Sequence, residues 1–151
     1  KLAIKWPNDI MQDDKKVCGI LIENLIDTKN SFYSMIGFGF NISIPDSLIS
    51  FIDGCPANLN IERNNLNLLV GVTSSVLLKN ISLFEKSSFG CFQNKWNEYM
   101  YAKNKNVILV SGDKKITGKL LGINHKGELQ IQTNEKLINI SDINYSMRLL
   151  E

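Results

Sequence analysis

Three runs of β-type residues open the chain, and the connections between them are only a few residues long. In LAIKW (residues 2–6) Leu2, Ile4 and Trp6 alternate with Ala3 and Lys5, which is the period of a strand. Pro7, Asn8 and Asp9 turn it, Ile10 and Met11 form a short apolar pair, and QDDKK supplies a polar hairpin connection with Asp13 and Asp14 at its solvated tip. KVCGILIENLI (16–26) and FYSMIGFGFNISI (32–44) follow, with the turn DTKNS between them. A parallel crossover needs a dozen or more residues, so connections this short force an antiparallel meander.

Residues 45–65 read as a loop region with one helical turn near residues 47–51. Leu66, Leu69, Val70, Thr73, Val76, Leu77, Ile81 and Phe84 then recur at three- and four-residue steps, the stripe of an amphipathic helix. Asn64 or Asn65 is its expected N-cap. A shorter helix is marked by Phe89, Phe92, Trp96, Tyr99 and Met100, capped by Ser87 or Ser88, although Gly90 in its first turn weakens it. From KNKN (103–106) the texture changes to the short β-type runs VILV, KITGKLLGI, ELQIQ and KLINI, separated by SGDK, NHKG and TNE. Strands every ~8–12 residues with Gly or Asn turns suggest a small barrel. The predicted architecture is α+β: an antiparallel sheet packed with helices over residues 1–103, then a small β-barrel over 104–151.

Composition narrows the function classes. The chain is 44% hydrophobic and 21% charged, the balance of a globular protein. A net charge of +2 gives no support to nucleic acid or an anionic membrane as the main partner. No apolar run approaches the ~18 residues that a membrane helix needs. Cys18, Cys55 and Cys91 are odd in number and far apart, with no metal-type spacing, so unpaired thiols in a reducing, cytoplasmic setting are expected. His125, the single histidine, falls in a predicted barrel turn and reads as solvated. Ser-His-Asp chemistry, the P-loop and H-E-x-x-H are all absent.

Two strand faces draw attention. Strict alternation puts Lys16, Cys18, Ile20 and Ile22 on one side of the second long run and Val17, Gly19, Leu21 and Glu23 on the other. An amine heading an apolar row either snorkels to solvent or is aimed at an anion. In the next run Gly37, Gly39 and Asn41 share a face. Two glycines there leave a bare slot with a polar group at its end, suited either to a flat ligand or to a closely packed helix.

Taken together, KWPNDI, KKVCGILIE and IGFGFNI resemble, in order and spacing, the biotin protein ligase family. KWNEY followed by VILVSGDKKITGKLLGINHKGELQIQ is similar to that family's final helix and SH3-like barrel, so the resemblance covers nearly the whole chain. It implies part of a class II synthetase-like ligase domain that joins biotin to ATP, with Mg²⁺, as biotinoyl-5′-adenylate and then passes biotin to a lysine of biotin carboxyl carrier protein, the acceptor domain of acetyl-CoA carboxylase. Lys16 matches the lysine that meets the biotin carboxylate, and is the expected catalytic group. Gly19, Gly37 and Gly39 would let biotin lie on the strands. Lys5, Asn8, Asp9 and Asn41 would form the ATP/Mg²⁺ side, with Asp9 orienting Lys5 or a metal-bound water, and Arg148 matches a late arginine that approaches from the barrel. Trp6, opposite in face to Lys5, reads as core.

The family's Gly/Arg-rich loop before K-W-P-N-D has no counterpart here, and Lys1 already lies in mid-strand. The expectation is therefore the C-terminal half of a ligase, binding biotin poorly and inactive on its own. A possible homodimer through the meander's edge is open. The rival readings are a lipoate- or octanoate-type acyl-protein ligase, and a non-catalytic binding module in which the barrel docks protein or RNA. The barrel lacks the basic strip with exposed aromatics that RNA binding needs.

Overall fold

The computed structural model describes residues 1–52, 55–59 and 61–150, apart from the side chain of Arg63. Of the predicted loop over 45–65, Asp53, Gly54 and Asn60 thus lie outside the described residues. The chain divides into two compact units, Lys1–Ile61 and Glu62–Glu151.

The first unit is a four-stranded antiparallel sheet in sequence order: β1 (Leu2–Lys5), β2 (Asp9–Gln12), β3 (Lys15–Ile26) and β4 (Phe32–Phe40). The apolar pair Ile10–Met11 is thus a strand in its own right, because Pro7-Asn8 is a turn tight enough to pair Lys5 with Asp9. The turn is fastened to β3: Asn8 Nδ2 donates to the Ile20 carbonyl (2.7 Å) and Ile20 N–H returns a bond to the Asn8 carbonyl (2.9 Å). Trp6, Met11, Val17 and Cys18 form the buried core of this unit. Trp6 is therefore core, as its strand parity implied. The helical turn expected near 47–51 is α1 (Asp46–Ile49).

Alternation along β3 is broken once. Ile10 pairs with Cys18 but Met11 pairs with Lys16, so Val17 has no partner on β2. An extra residue in one strand is a β-bulge, and it moves the following side chains to the opposite face. Lys16 therefore does not share a face with Cys18, as strict alternation required. Consecutive Val17 and Cys18 are both buried, at 1% and 2% exposure. Other backbone groups hold the bulge in place. Lys16 N–H donates to the Cys55 carbonyl (3.0 Å), and Ala57 N–H donates to the Lys16 carbonyl (2.9 Å). Asn41 closes the clamp, its N–H bonding Val17 O (2.9 Å) and its Nδ2 bonding Lys16 O (2.8 Å).

In the second unit, α2 (Leu66–Ser87) follows a 3₁₀ turn at Arg63–Asn65, with Asn65 in the N-cap position but making no side-chain capping bond. Leu66, Leu69, Thr73, Leu77 and Ile81 of the predicted stripe are half-buried, whereas Val70, Val76 and Phe84 are exposed. The predicted second helix begins late. Ser88 has φ +59°, Phe89–Phe92 form a 3₁₀ turn containing Gly90, and α3 runs only Gln93–Tyr99. A five-stranded antiparallel sheet follows: β5 (Asn106–Ser111), β6 (Lys114–Ile123), β7 (Leu129–Gln132), β8 (Leu137–Ile140) and β9 (Ser146–Leu149), in the order β8-β7-β6-β5-β9. β9 went unread in the sequence, since four residues with an arginine carry little alternation.

Val107, Leu109, Leu120, Ile123, Leu129, Ile131 and Met147 form the larger of the two cores, each at most 2% exposed. The expected boundary near 104 marks where helix gives way to strand, but compactness changes near 61. α3 belongs with the second sheet because Asn97 grips β6: Ile123 N–H donates to Asn97 Oδ1 (2.8 Å), and Asn97 Nδ2 donates back to Ile123 O (3.1 Å).

The membrane expectation also needs correction. α2 is, by length and a mean hydropathy of 1.4, apolar enough to cross a membrane, and none of that window is buried. Thr73, Ser74, Ser75, Lys79 and Asn80 interrupt the apolar residues of this segment, yet its mean hydropathy stays high.

Candidate active site

Residues directly opposite on antiparallel strands point to the same face. Lys5 opposes Asp9, Asp9 opposes Gly19, and Gly19 opposes Gly39. Four of the predicted site residues thus form one continuous row across all four strands. Leu21 and Gly37 make the neighbouring pair on that face. The bulge at Val17 adds Lys16, whose ammonium reaches from β3 to Asp9 on β2, with Nζ 2.6 Å from Oδ1. Lys16 is 37% exposed and Asp9 19% exposed in their side chains, so the pair is neither fully solvated nor sealed.

Asp9 was expected to orient Lys5 or a metal-bound water. Its ion pair is with Lys16, which the bulge brings onto the same face, and no ion pair of Lys5 occurs among the described residues.

The glycines divide into two kinds. A Cβ at Gly19 would lie 3.1 Å from Lys16 Nζ and 3.2 Å from its Cε, so the lysine side chain itself occupies that space. A Cβ at Gly37 would meet Leu21 O at 3.9 Å and Leu21 Cβ at 4.0 Å, and one at Gly39 would meet Gly19 O at 3.7 Å, which are ordinary contacts. Both of these glycines are exposed. The bare slot is open.

The polar groups are less free than their residue types suggested. Asn8 and the Asn41 Nδ2 are engaged in backbone bonds that shape the turn and the bulge. Beneath the row, burial pushes the Cys18 thiol up; Lys16 opposes that shift and Asp9 adds to it. Cys18, Cys55 and Cys91 are free thiols. Among the described residues no group of three His, Cys, Asp or Glu side chains could hold a metal. Arg148 lies in the second unit, exposed on β9 opposite Ile108. A concavity of about 820 Å³ in that unit is lined by residues that include Lys115, Thr117, Thr133, Lys136 and Ile138, and holds none of the predicted site residues.

The sequence reading missed the bulge, and with it the Lys16–Asp9 pair. Adjacent apolar Val17 and Cys18 between a lysine and a glycine were the available signal.

Residues 1–41 match the Biotin/lipoate A/B protein ligase family, and residues 104–144 match the biotin protein ligase C-terminal domain. The bifunctional ligase/repressor BirA of Escherichia coli K12 is 30% identical over 137 residues, covering 87% of this chain and 42% of that protein. BirA of Bacillus subtilis is 29% identical over 147 residues, covering 91% and 43%. The chain therefore spans less than half the length of these relatives. Among solved structures, the apo biotin protein ligase from Aquifex aeolicus aligns with a TM-score of 0.78 at 28% identity, over 99% of this chain and 66% of that one. The same ligase in complex with biotin and ATP aligns with a TM-score of 0.78 at 29% identity, over 99% and 62%. Matches at both ends, to sequence families and to solved folds alike, place this chain in the biotin protein ligase family.

Proposed function

We propose that this chain serves in ATP-dependent activation of biotin and its transfer to a lysine of biotin carboxyl carrier protein. The observation that carries this reading is the row Lys5–Asp9–Gly19–Gly39 with the Lys16 ammonium fixed beside it. A fixed cation at the edge of a bare slot suits an acid whose body lies flat and whose carboxylate ends at a positive charge.

In the proposed reaction one carboxylate oxygen attacks the α-phosphorus of ATP. The bond from that phosphorus to the bridging oxygen breaks, and pyrophosphate leaves with the electron pair. The carrier's lysine amine then attacks the acyl carbon, AMP departs, and the amine gives up its proton. Lys16 offsets the repulsion between carboxylate and phosphate and holds the charge that develops between them. Lys5, on the same row, is the cation for the nucleotide phosphates. Asn41 offers its amide oxygen. Asn8 contributes by holding the turn.

Mg²⁺ fits this site as a passenger on the nucleotide, which typically needs few protein ligands. It needs no cluster of carboxylates, and Asp9 is already paired. A cytoplasmic location and a homodimer belong to the same proposal.

Biotin-dependent ATP–pyrophosphate exchange by the intact gene product is the test, with Lys16→Ala beside it. The expected result is exchange with biotin that falls about 10²–10³-fold in the variant, the loss typical of a preorganised charge-stabilising group. The family matched by residues 1–41 includes lipoate ligases, so lipoate is the control acid. Exchange with lipoate alone would change the substrate and keep the chemistry. Exchange with neither would refute the proposal.

A further inference from the structure

The position of a catalytic ammonium on a four-carbon stem is not set by its own backbone. A lysine has several rotatable bonds, and a displacement of ~1 Å at a reacting centre can cost ~10²-fold in rate. Something must hold it. In this structure Lys16 has two restraints beyond its own bulge. Its Nζ is paired to Asp9 Oδ1 at 2.6 Å. Its terminal carbons lie over Gly19, close enough that a single added methyl would come within 3.1–3.2 Å of Nζ and Cε. Asp9 and Gly19 are themselves cross-strand partners, so the counter-ion and the gap are produced by one register. A slip of that register would remove both.

We infer that Asp9 and Gly19 are positioning residues for the Lys16 ammonium, Asp9 as its resident counter-ion and Gly19 as the floor beneath it. The inference rests on the proposed role of Lys16, and extends it by assigning Asp9 and Gly19 to Lys16 rather than to metal, nucleotide or biotin. Asp9 shares the ammonium with the arriving carboxylate. It therefore keeps the acid's affinity moderate while fixing the geometry from which adenylation proceeds. Removing the Asp9 charge frees the ammonium to follow the acid, so binding is preserved while the chemical step slows. At Gly19 the added methyl displaces a flexible lysine end, not backbone, so the fold survives and the ammonium moves.

The test uses Asp9→Asn, Asp9→Glu and Gly19→Ala, read in two ways. Kinetically, Asp9→Asn and Gly19→Ala are expected to lower kcat for biotin-dependent exchange about tenfold or more, with the Kd for biotin raised no more than about twofold. Asp9→Glu should recover part of kcat. Spectroscopically, the Lys16 ammonium resonance of ¹⁵N-lysine-labelled protein, assigned with Lys16→Arg, is expected to be protected from solvent exchange in the wild type. That protection should be lost in Asp9→Asn and reduced in Gly19→Ala, with the β3 amides unchanged.

A Kd and kcat that worsen together, with lost β3 protection, would mean Asp9 is merely structural and would overturn the inference. So would an unaltered Lys16 resonance in both variants. Should the wild type show no exchange with any acid, the functional reading falls, and the resonance alone still decides whether Asp9 and Gly19 place Lys16.

Discussion

Lys16 and its neighbours show how much a single extra residue can do. Without the bulge at Val17 its side chain would sit on the Cys18 face, away from Asp9 and Gly19. With it, an exposed amine becomes part of a row that crosses four strands. Gly39 shows the converse, a residue whose absence of side chain the protein's own packing does not require. Its Cβ would meet nothing closer than 3.7 Å, and alanine is favoured over glycine in a strand interior by ~0.5–1 kcal/mol. Gly39→Ala should therefore leave the melting temperature unchanged or slightly raised while weakening biotin binding about tenfold, measured by calorimetry of both. A large drop in stability would show that the glycine serves folding and not a ligand. Lys16, Gly39 and Asn41 stood out from the strand faces, whereas Lys5, Asn8 and Asp9 entered through the family resemblance. Which of them touch could not be picked from either, because contact depends on the bulge and on cross-strand register.

At the scale of elements, the β3–β4 hairpin is tied at its turn by Asp27. Its carboxylate accepts from Lys29 N–H (2.8 Å) and Ser31 N–H (2.8 Å), and Tyr33 Oη donates to the other oxygen at 3.4 Å. Those bonds, the Ser31 amide foremost, hold the carboxyl below its ordinary value. A carboxylate with a lowered folded value stabilises fully above its unfolded pKa, and that contribution disappears as pH falls through the lowered one. Protection of the Lys29 and Ser31 amides should accordingly fade on acidification below the ordinary carboxylate range, and Asp27→Asn should abolish that pH dependence. Hydrogen exchange followed against pH checks it; an identical profile in the variant would count against the carboxylate. The turn DTKNS was legible as a turn from its residues. β9 was not, since its place is decided by pairing with Val107–Val110 on β5 and not by any pattern of its own.

For the whole molecule, the most consequential feature is apolar surface. Leu68 is 64% exposed, Val72 52% and Leu78 66%, on a helix with no buried residue. In the first unit Leu21, Ile22, Ile26 and Phe32 are likewise exposed. Large apolar side chains this exposed offer a surface to which hydrophobic probes bind. The purified 151-residue chain should bind a hydrophobic dye strongly, and a Leu68→Lys, Leu78→Lys double variant should bind distinctly less. Equal fluorescence from the two would mean that α2 is not the source. The sequence by itself determined the antiparallel order of the first sheet and of β5 to β8 in the second, because short connections leave no room for crossovers. It also determined that a long helix spans residues 66–87 and singled out the candidate site residues, because periodicity and motif are local properties. Only the tertiary structure decided that Lys16 crosses to Asp9, that Gly19 is filled by the lysine while Gly37 and Gly39 stay open, and that α3 joins the second sheet. Each of those outcomes depends on register and on contacts between residues distant in the chain, which a local pattern does not encode.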